Sequence, residues 1–150
     1  MNFNLSINSL LTNLIIFILS FSFGLILITY FLQLPHLLTG QPGIVNQYYR
    51  SNFVTNVPLD LFFVLVYFLI GLLIIKLLKI KKRINKVLVI GITTAVITAG
   101  FCFYFRSYPQ TKNFFSKWFH TVGYSSVLYD VILLVFIYLV HLKILNYIQS

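Results

Sequence analysis

Residues 59–78 read LDLFFVLVYFLIGLLIIKLL, with one acid at the start, one lysine near the end, and only apolar or aromatic residues and a glycine between and beyond them. A strand in a membrane barrel alternates apolar and polar side chains, and this run does not. In lipid the backbone amides must bond to one another, which a helix achieves within a single segment. About 20 apolar residues cross a bilayer as a helix, so residues 59–78 are expected to span a membrane. Three further runs have the same character: Leu11–Leu34, Val87–Phe105 and Val127–Leu142. Composition agrees. Hydrophobic residues make up 59% of the 150-residue chain and charged residues 9%, and the mean hydropathy is +0.94, whereas about a quarter of a soluble domain is charged. The expected fold is an all-α membrane protein, a single four-helix transmembrane domain over residues 1–150.

The first run is expected to be a membrane helix rather than a cleaved leader, because it lacks a basic flank, is long, and has no small-residue cleavage site after it. Cys102 is the only cysteine, which excludes an intrachain disulfide. Charge sets the orientation. Lys76, Lys79, Lys81, Lys82, Arg83 and Lys86 cluster at the link between the second and third runs, and Lys143 lies on the same side. Arg50, Arg106, Lys112 and Lys117 lie on the other. The positive-inside rule then places both termini and the basic link in the cytosol. Such a cluster also attracts anionic lipid, at about 1 kcal/mol per cation near the surface. Because these cations hug a membrane, nucleic acid is not an expected partner; lipids, protein partners or a second copy of the chain are.

The two halves resemble each other. Aligning Asp130 on Asp60 brings Phe114-Phe115 onto Ile44-Val45, Trp118-Phe119 onto Tyr48-Tyr49, and Ser125 onto Thr55. Upstream, Tyr104-Phe105 with Pro109 echoes Tyr30-Phe31 with Pro35, the shift being absorbed by QTKN in place of HLLTGQPG. Two tandem helix–interfacial helix–helix units are expected, about 11–78 and 87–148, related by an axis along the membrane normal. The connectors carry aromatic stripes at helical spacing, among them Tyr48, Tyr49, Phe115, Trp118 and Phe119. Such stripes are expected to anchor a connector helix in the headgroup region. Gly91, Ala95 and Ala99 on the third helix, and Ser20 and Gly24 on the first, allow close approach in lipid. The first and third helices are therefore expected at the centre, with the second and fourth facing lipid.

Chemistry-bearing residues are few. His36, His120 and His141 are scattered, without metal-ligand spacing. A lone cysteine supplies no dithiol, no nucleophile has an evident base, and no glycine-rich phosphate loop exists. No metal, cofactor or catalytic residue is expected. Asp60 and Asp130 are the only carboxylate side chains. Each follows helix-start residues, Thr55-Asn56-Val57-Pro58 and Ser125-Ser126, so each is expected to support a helix N-terminus through its charge, with Arg50, Arg106 or Lys117 as a cationic partner. Alternatively they form an ion or proton site, since acids inside membranes are often functional.

Thr121-Val122-Gly123-Tyr124 resembles the core of a potassium-channel selectivity filter. It departs from that pattern at Ser125, where the filter has a second glycine, and the equivalent Ser51-Asn52-Phe53-Val54 contains none. The stretch from Trp118 to Asp130, WFHTVGYSSVLYD, resembles a pattern in small multi-pass membrane proteins of large DNA viruses of algae and protists. That resemblance implies a location in the virion's internal membrane or in a remodelled host endomembrane, and it brings no active site with it. The functional expectation is a non-enzymatic integral membrane protein that organises or scaffolds a membrane. The alternative is a small ion channel or transporter using Asp60 and Asp130.

Overall fold

The structure is a computed structural model that describes residues 7–150, with backbone alone for residues 7–9 and 149. The extreme N-terminus, which the charge argument assigns to the cytosol, lies outside the described residues. The described residues form seven α-helices: α1 (Ile7–Gly24), α2 (Leu34–Thr39), α3 (Pro42–Asn46), α4 (Phe53–Leu77), α5 (Arg83–Arg106), α6 (Phe114–Val122) and α7 (Ser125–Gln149). Two π-helical segments extend α1 over Leu25–Phe31 and α3 over Gln47–Ser51. Four spans, Leu10–Phe31, Phe53–Leu77, Arg83–Arg106 and Ser125–Ile148, are long and apolar enough to cross a membrane.

Local chemistry explains the connectors. Pro35 and Pro42 sit in the first turns of α2 and α3, where a missing N–H removes no helical bond. Gly40 ends α2 with φ of 61°, a left-handed conformation that glycine adopts without steric cost. Asn113 caps α6 by accepting from the Phe115 amide at 2.9 Å. Between α6 and α7 the chain turns at Gly123, with φ 61° and ψ −143°, a region essentially restricted to glycine.

Packing corrects one expectation. Helix α7 occupies the centre, with Tyr129, Leu133, Leu134, Ile137, Tyr138 and His141 all buried. Small-residue seams on both neighbours admit it. A Cβ built on Gly24 of α1 would lie 3.1 Å from Ile137, and one on Gly91 of α5 would lie 3.6 Å from Val135. Small residues thus mark the helices that approach closely, and the bulky helix between them fills the middle. The second span is the peripheral one, with 22% of its most apolar window buried against 44% for the first.

Candidate functional site

Asp60 and Asp130 are not helix-start residues. Helix α4 begins at Phe53 and α7 at Ser125, and neither has an acid in its first turn. Each carboxylate lies more than a turn inside its helix, beyond the reach of the terminal amides. Instead, both line one cavity of about 120 Å³ between α4, α5, α6 and α7. The chain's only two carboxylate side chains, distant in sequence, therefore share one chamber. Each is half-buried.

The chamber is built from four directions. Its roof is the π-helical segment after α3, carrying Tyr48 and Tyr49, together with Trp118 and Phe119 of α6. All four side chains are buried, and Phe115 beside them is half-buried. The aromatic stripe expected to anchor the connectors in the headgroup layer thus turns inward. Periodicity identified an apolar face, and protein rather than lipid covers most of it. Tyr48 and Trp118, equivalent residues in the alignment of the halves, are in tilted ring contact with centroids 4.7 Å apart. One wall is Phe63 and Tyr67 of α4, facing Thr94 and Phe101 of α5. Leu133 and Leu134 of α7 complete the lining.

Hydroxyl groups satisfy the acids. The Tyr48 hydroxyl donates to Asp60 Oδ1, and Thr98 Oγ1 donates to Asp130 Oδ2 at 2.8 Å. Behind them, Thr29 and Tyr129 share a 2.7 Å hydrogen bond. The Tyr30 hydroxyl donates to the Tyr49 carbonyl at 2.6 Å, and Asn56 Nδ2 donates to the Tyr48 carbonyl at 3.4 Å. Burial, with the Asp60 charge adding to it, pushes the Tyr48 hydroxyl well above its ordinary range, and burial does the same to Tyr49. Both remain protonated donors at neutral pH.

The candidate cationic partners stay outside. Arg50 and Lys117 are exposed, and Arg106 lies over the Tyr124 ring at 5.7 Å. Among the described residues no Lys, Arg or His lines the chamber. In the basic cluster Lys76, Lys79, Lys81, Lys82 and Arg83 are exposed and Lys86 is half-buried. Among the described residues no group of three or more His, Cys, Asp or Glu could hold a metal ion. The filter-like string is also accounted for. Thr121 and Val122 close α6, and Gly123 and Tyr124 form the turn into α7. Their carbonyls do not form the extended row that a potassium filter requires.

Tyr67, Thr94, Thr98 and Tyr129 were not singled out by sequence as members of a site. Packing alone brings Tyr67, Thr94 and Tyr129 to the chamber lining and Thr98 to the Asp130 carboxylate behind it. No family model, curated protein or solved structure matches this chain.

Proposed function

We propose that this chain is a non-enzymatic integral membrane protein that binds a cation inside its helical bundle, using Asp60 and Asp130 as the charged ligands. The observation that carries this reading is the convergence of the only two carboxylates on one aromatic chamber with no cation in its wall. An ionised carboxylate removed from water costs several kcal/mol unless it is compensated. One hydroxyl on each acid compensates part of that cost, and a bound cation would compensate the rest. Aromatic faces add cation–π attraction. A continuous pore is less well supported. Between the chamber and the basic link, Phe17, Phe68, Ile90, Ile137 and Tyr138 are all buried, with Phe17 and Phe68 in ring contact at 5.1 Å. A chamber closed at that end suits a receptor or a carrier better than a channel. The paired acids thus move the reading from membrane scaffold toward the transporter-like alternative.

By the charge argument both termini are cytosolic and the chamber lies in the outer half of the bundle. The tandem repeat gives a rationale for the pair of acids, one from each unit, meeting near a pseudo-twofold axis. The exposed basic link fits anionic lipid on the cytosolic face. The resemblance noted above would place the protein in a viral or virus-remodelled membrane.

Trp118 is the only tryptophan and it lines the chamber, so its emission reports occupancy. Protein in nanodiscs should show a saturable change in emission on titration with alkylammonium ions, abolished in Asp60→Asn and Asp130→Asn. A wild-type emission indifferent to organic and inorganic cations alike would refute the reading.

A further inference from the structure

The chamber is much larger than a bare metal ion, which would leave most of its 120 Å³ unfilled. An engineered apolar cavity of about 150 Å³ holds a benzene molecule, so this space suits an organic ammonium group. Its wall also has a second side. Phe101 lines the chamber and, in addition, an open groove on the membrane-facing side of α5 formed by Ile97, Gly100, Phe101 and Tyr104. Only this half-buried side chain is common to both linings. Its ring rests against Phe63 at 6.0 Å, so this aromatic side chain forms part of the partition between groove and chamber. The groove contains no charged residue, and a Cβ at Gly100 would meet nothing within 4 Å.

The aqueous approach is the less favourable one for a cation. Arg50, Arg106, Lys112 and Lys117 stand exposed at the same end of the bundle as the chamber, and like charge lowers the local cation concentration. Resting on the cation-binding reading, we propose that the ligand is an amphiphilic amine, an ammonium group on an apolar body, that reaches Asp60 and Asp130 from the lipid phase through the groove at Gly100 by displacing the Phe101 ring. Its ammonium group sits between the carboxylates and the faces of Tyr48 and Trp118, and its apolar body trails through the partition into the groove. A zwitterionic phospholipid headgroup shares the ammonium chemistry, but two carboxylates would repel the phosphate tethered to it, so a free amine is the better occupant.

The test uses the full chain in nanodiscs of phosphatidylcholine or of a neutral glycolipid, followed by Trp118 emission in a stopped-flow instrument. The probes are octyltrimethylammonium, tetramethylammonium and octanol, and octyltrimethylammonium concentrations are expressed per membrane volume. Octyltrimethylammonium should bind saturably and octanol should not, a charge control that requires no mutation. Gly100→Leu fills the groove without entering the chamber, and leucine favours a helix over glycine by roughly 1 kcal/mol, so the variant should fold. It should slow octyltrimethylammonium association about tenfold, a barrier of about 1.4 kcal/mol, and change equilibrium affinity much less. Unaltered association in Gly100→Leu, or tetramethylammonium binding as fast and as tightly, would overturn lateral entry while leaving cation binding intact. Weaker octyltrimethylammonium binding in phosphatidylcholine than in glycolipid would reassign the site to the lipid headgroup. No response to either ammonium ion would remove the cation-binding reading itself.

Discussion

Replacing Asp130 with asparagine should stabilise the ligand-free protein while removing its affinity for a cation. The carboxylate is half-buried, lines a chamber without Lys, Arg or His, and shares it with Asp60. The effective penalty for taking an ion out of water is several kcal/mol. Against it stands the Thr98 hydrogen bond at 2.8 Å, worth about 1.5–3 kcal/mol because one partner is charged. Asparagine keeps an acceptor for Thr98, at the neutral value of about 0.5–1.5 kcal/mol, and has no ion to desolvate. The expected gain is roughly 1–2 kcal/mol. Asp60→Asn should behave alike, with the Tyr48 hydroxyl as the retained donor. The double variant should gain less than the sum of the two, because removing either charge also relieves the repulsion felt by the other. The measurement is unfolding in a fixed detergent or nanodisc, without ligand, read by circular dichroism and by Trp118 emission. A cationic partner supplied by Arg50, Arg106 or Lys117 would reverse the sign, since breaking such a pair costs about 3–5 kcal/mol. A loss of that size in either single variant would therefore refute the account of an uncompensated pair of acids.

Further outcomes can be checked. Gly123→Ala should destabilise the junction of α6 and α7 by about 1–3 kcal/mol through its φ of 61°; a thermal melt within error of wild type would contradict this. In a Cys102→Ser background, Gln41→Cys and Gln110→Cys, both at exposed positions, should react with an impermeant thiol reagent from the noncytosolic side only, and labelling of either from the cytosol would invert the topology. Changing Lys79, Lys81 and Lys82 together to serine should weaken recruitment of anionic lipid by about 3 kcal/mol in total, read as lipid retained through purification. Tyr48→Phe should bind an alkylammonium ion more tightly than wild type in the Trp118 titration, because it removes a hydroxyl that competes for Asp60; weaker binding would show that the hydroxyl is a ligand instead.

The four spans were legible because length and apolar content alone decide them. The central position of α7 was not. Sequence locates small-residue seams such as Gly24 and Gly91, but not the side chain that fills them, and here Ile137 and Val135 of the bulky helix do so. The connector stripes were legible as amphipathic helices, yet periodicity cannot distinguish a face turned to lipid from one turned to protein. Tyr48 and Trp118 belong to the second kind. The acids were noticed for their rarity and misread in their role. Ser125 does begin α7, and α4 begins at Phe53, two residues before Thr55, so both acids lie more than a turn inside their helices, too deep to meet the terminal dipole. Their convergence depends on how α4 and α7 pack, which no local pattern encodes.

The roof of the chamber is held in an unusual way. The π-helical segment Gln47–Ser51 lines it and the other, Leu25–Phe31, is bonded to that lining, and wide turns of this kind recur at functional sites. They carry Thr29, Tyr30, Tyr48 and Tyr49, and each of these residues is fastened by a polar bond through its hydroxyl or its carbonyl: Thr29 to Tyr129, Tyr30 to the Tyr49 carbonyl, Tyr48 to Asp60, and the Tyr48 carbonyl to Asn56. One of these bonds ends on a carboxylate that a ligand would claim. A cation reaching Asp60 competes with the Tyr48 hydroxyl for the same oxygen lone pairs, and Tyr48 is in ring contact with Tyr49, Phe114 and Trp118. Occupancy of the acid is thereby coupled to the packing of both connectors, through one hydroxyl and the rings around it. On the cation-binding proposal, a site whose charged ligand also secures its own roof can register binding without moving a transmembrane helix. That favours a receptor or a gated carrier over a passive scaffold as the role that paired acids in this fold would serve.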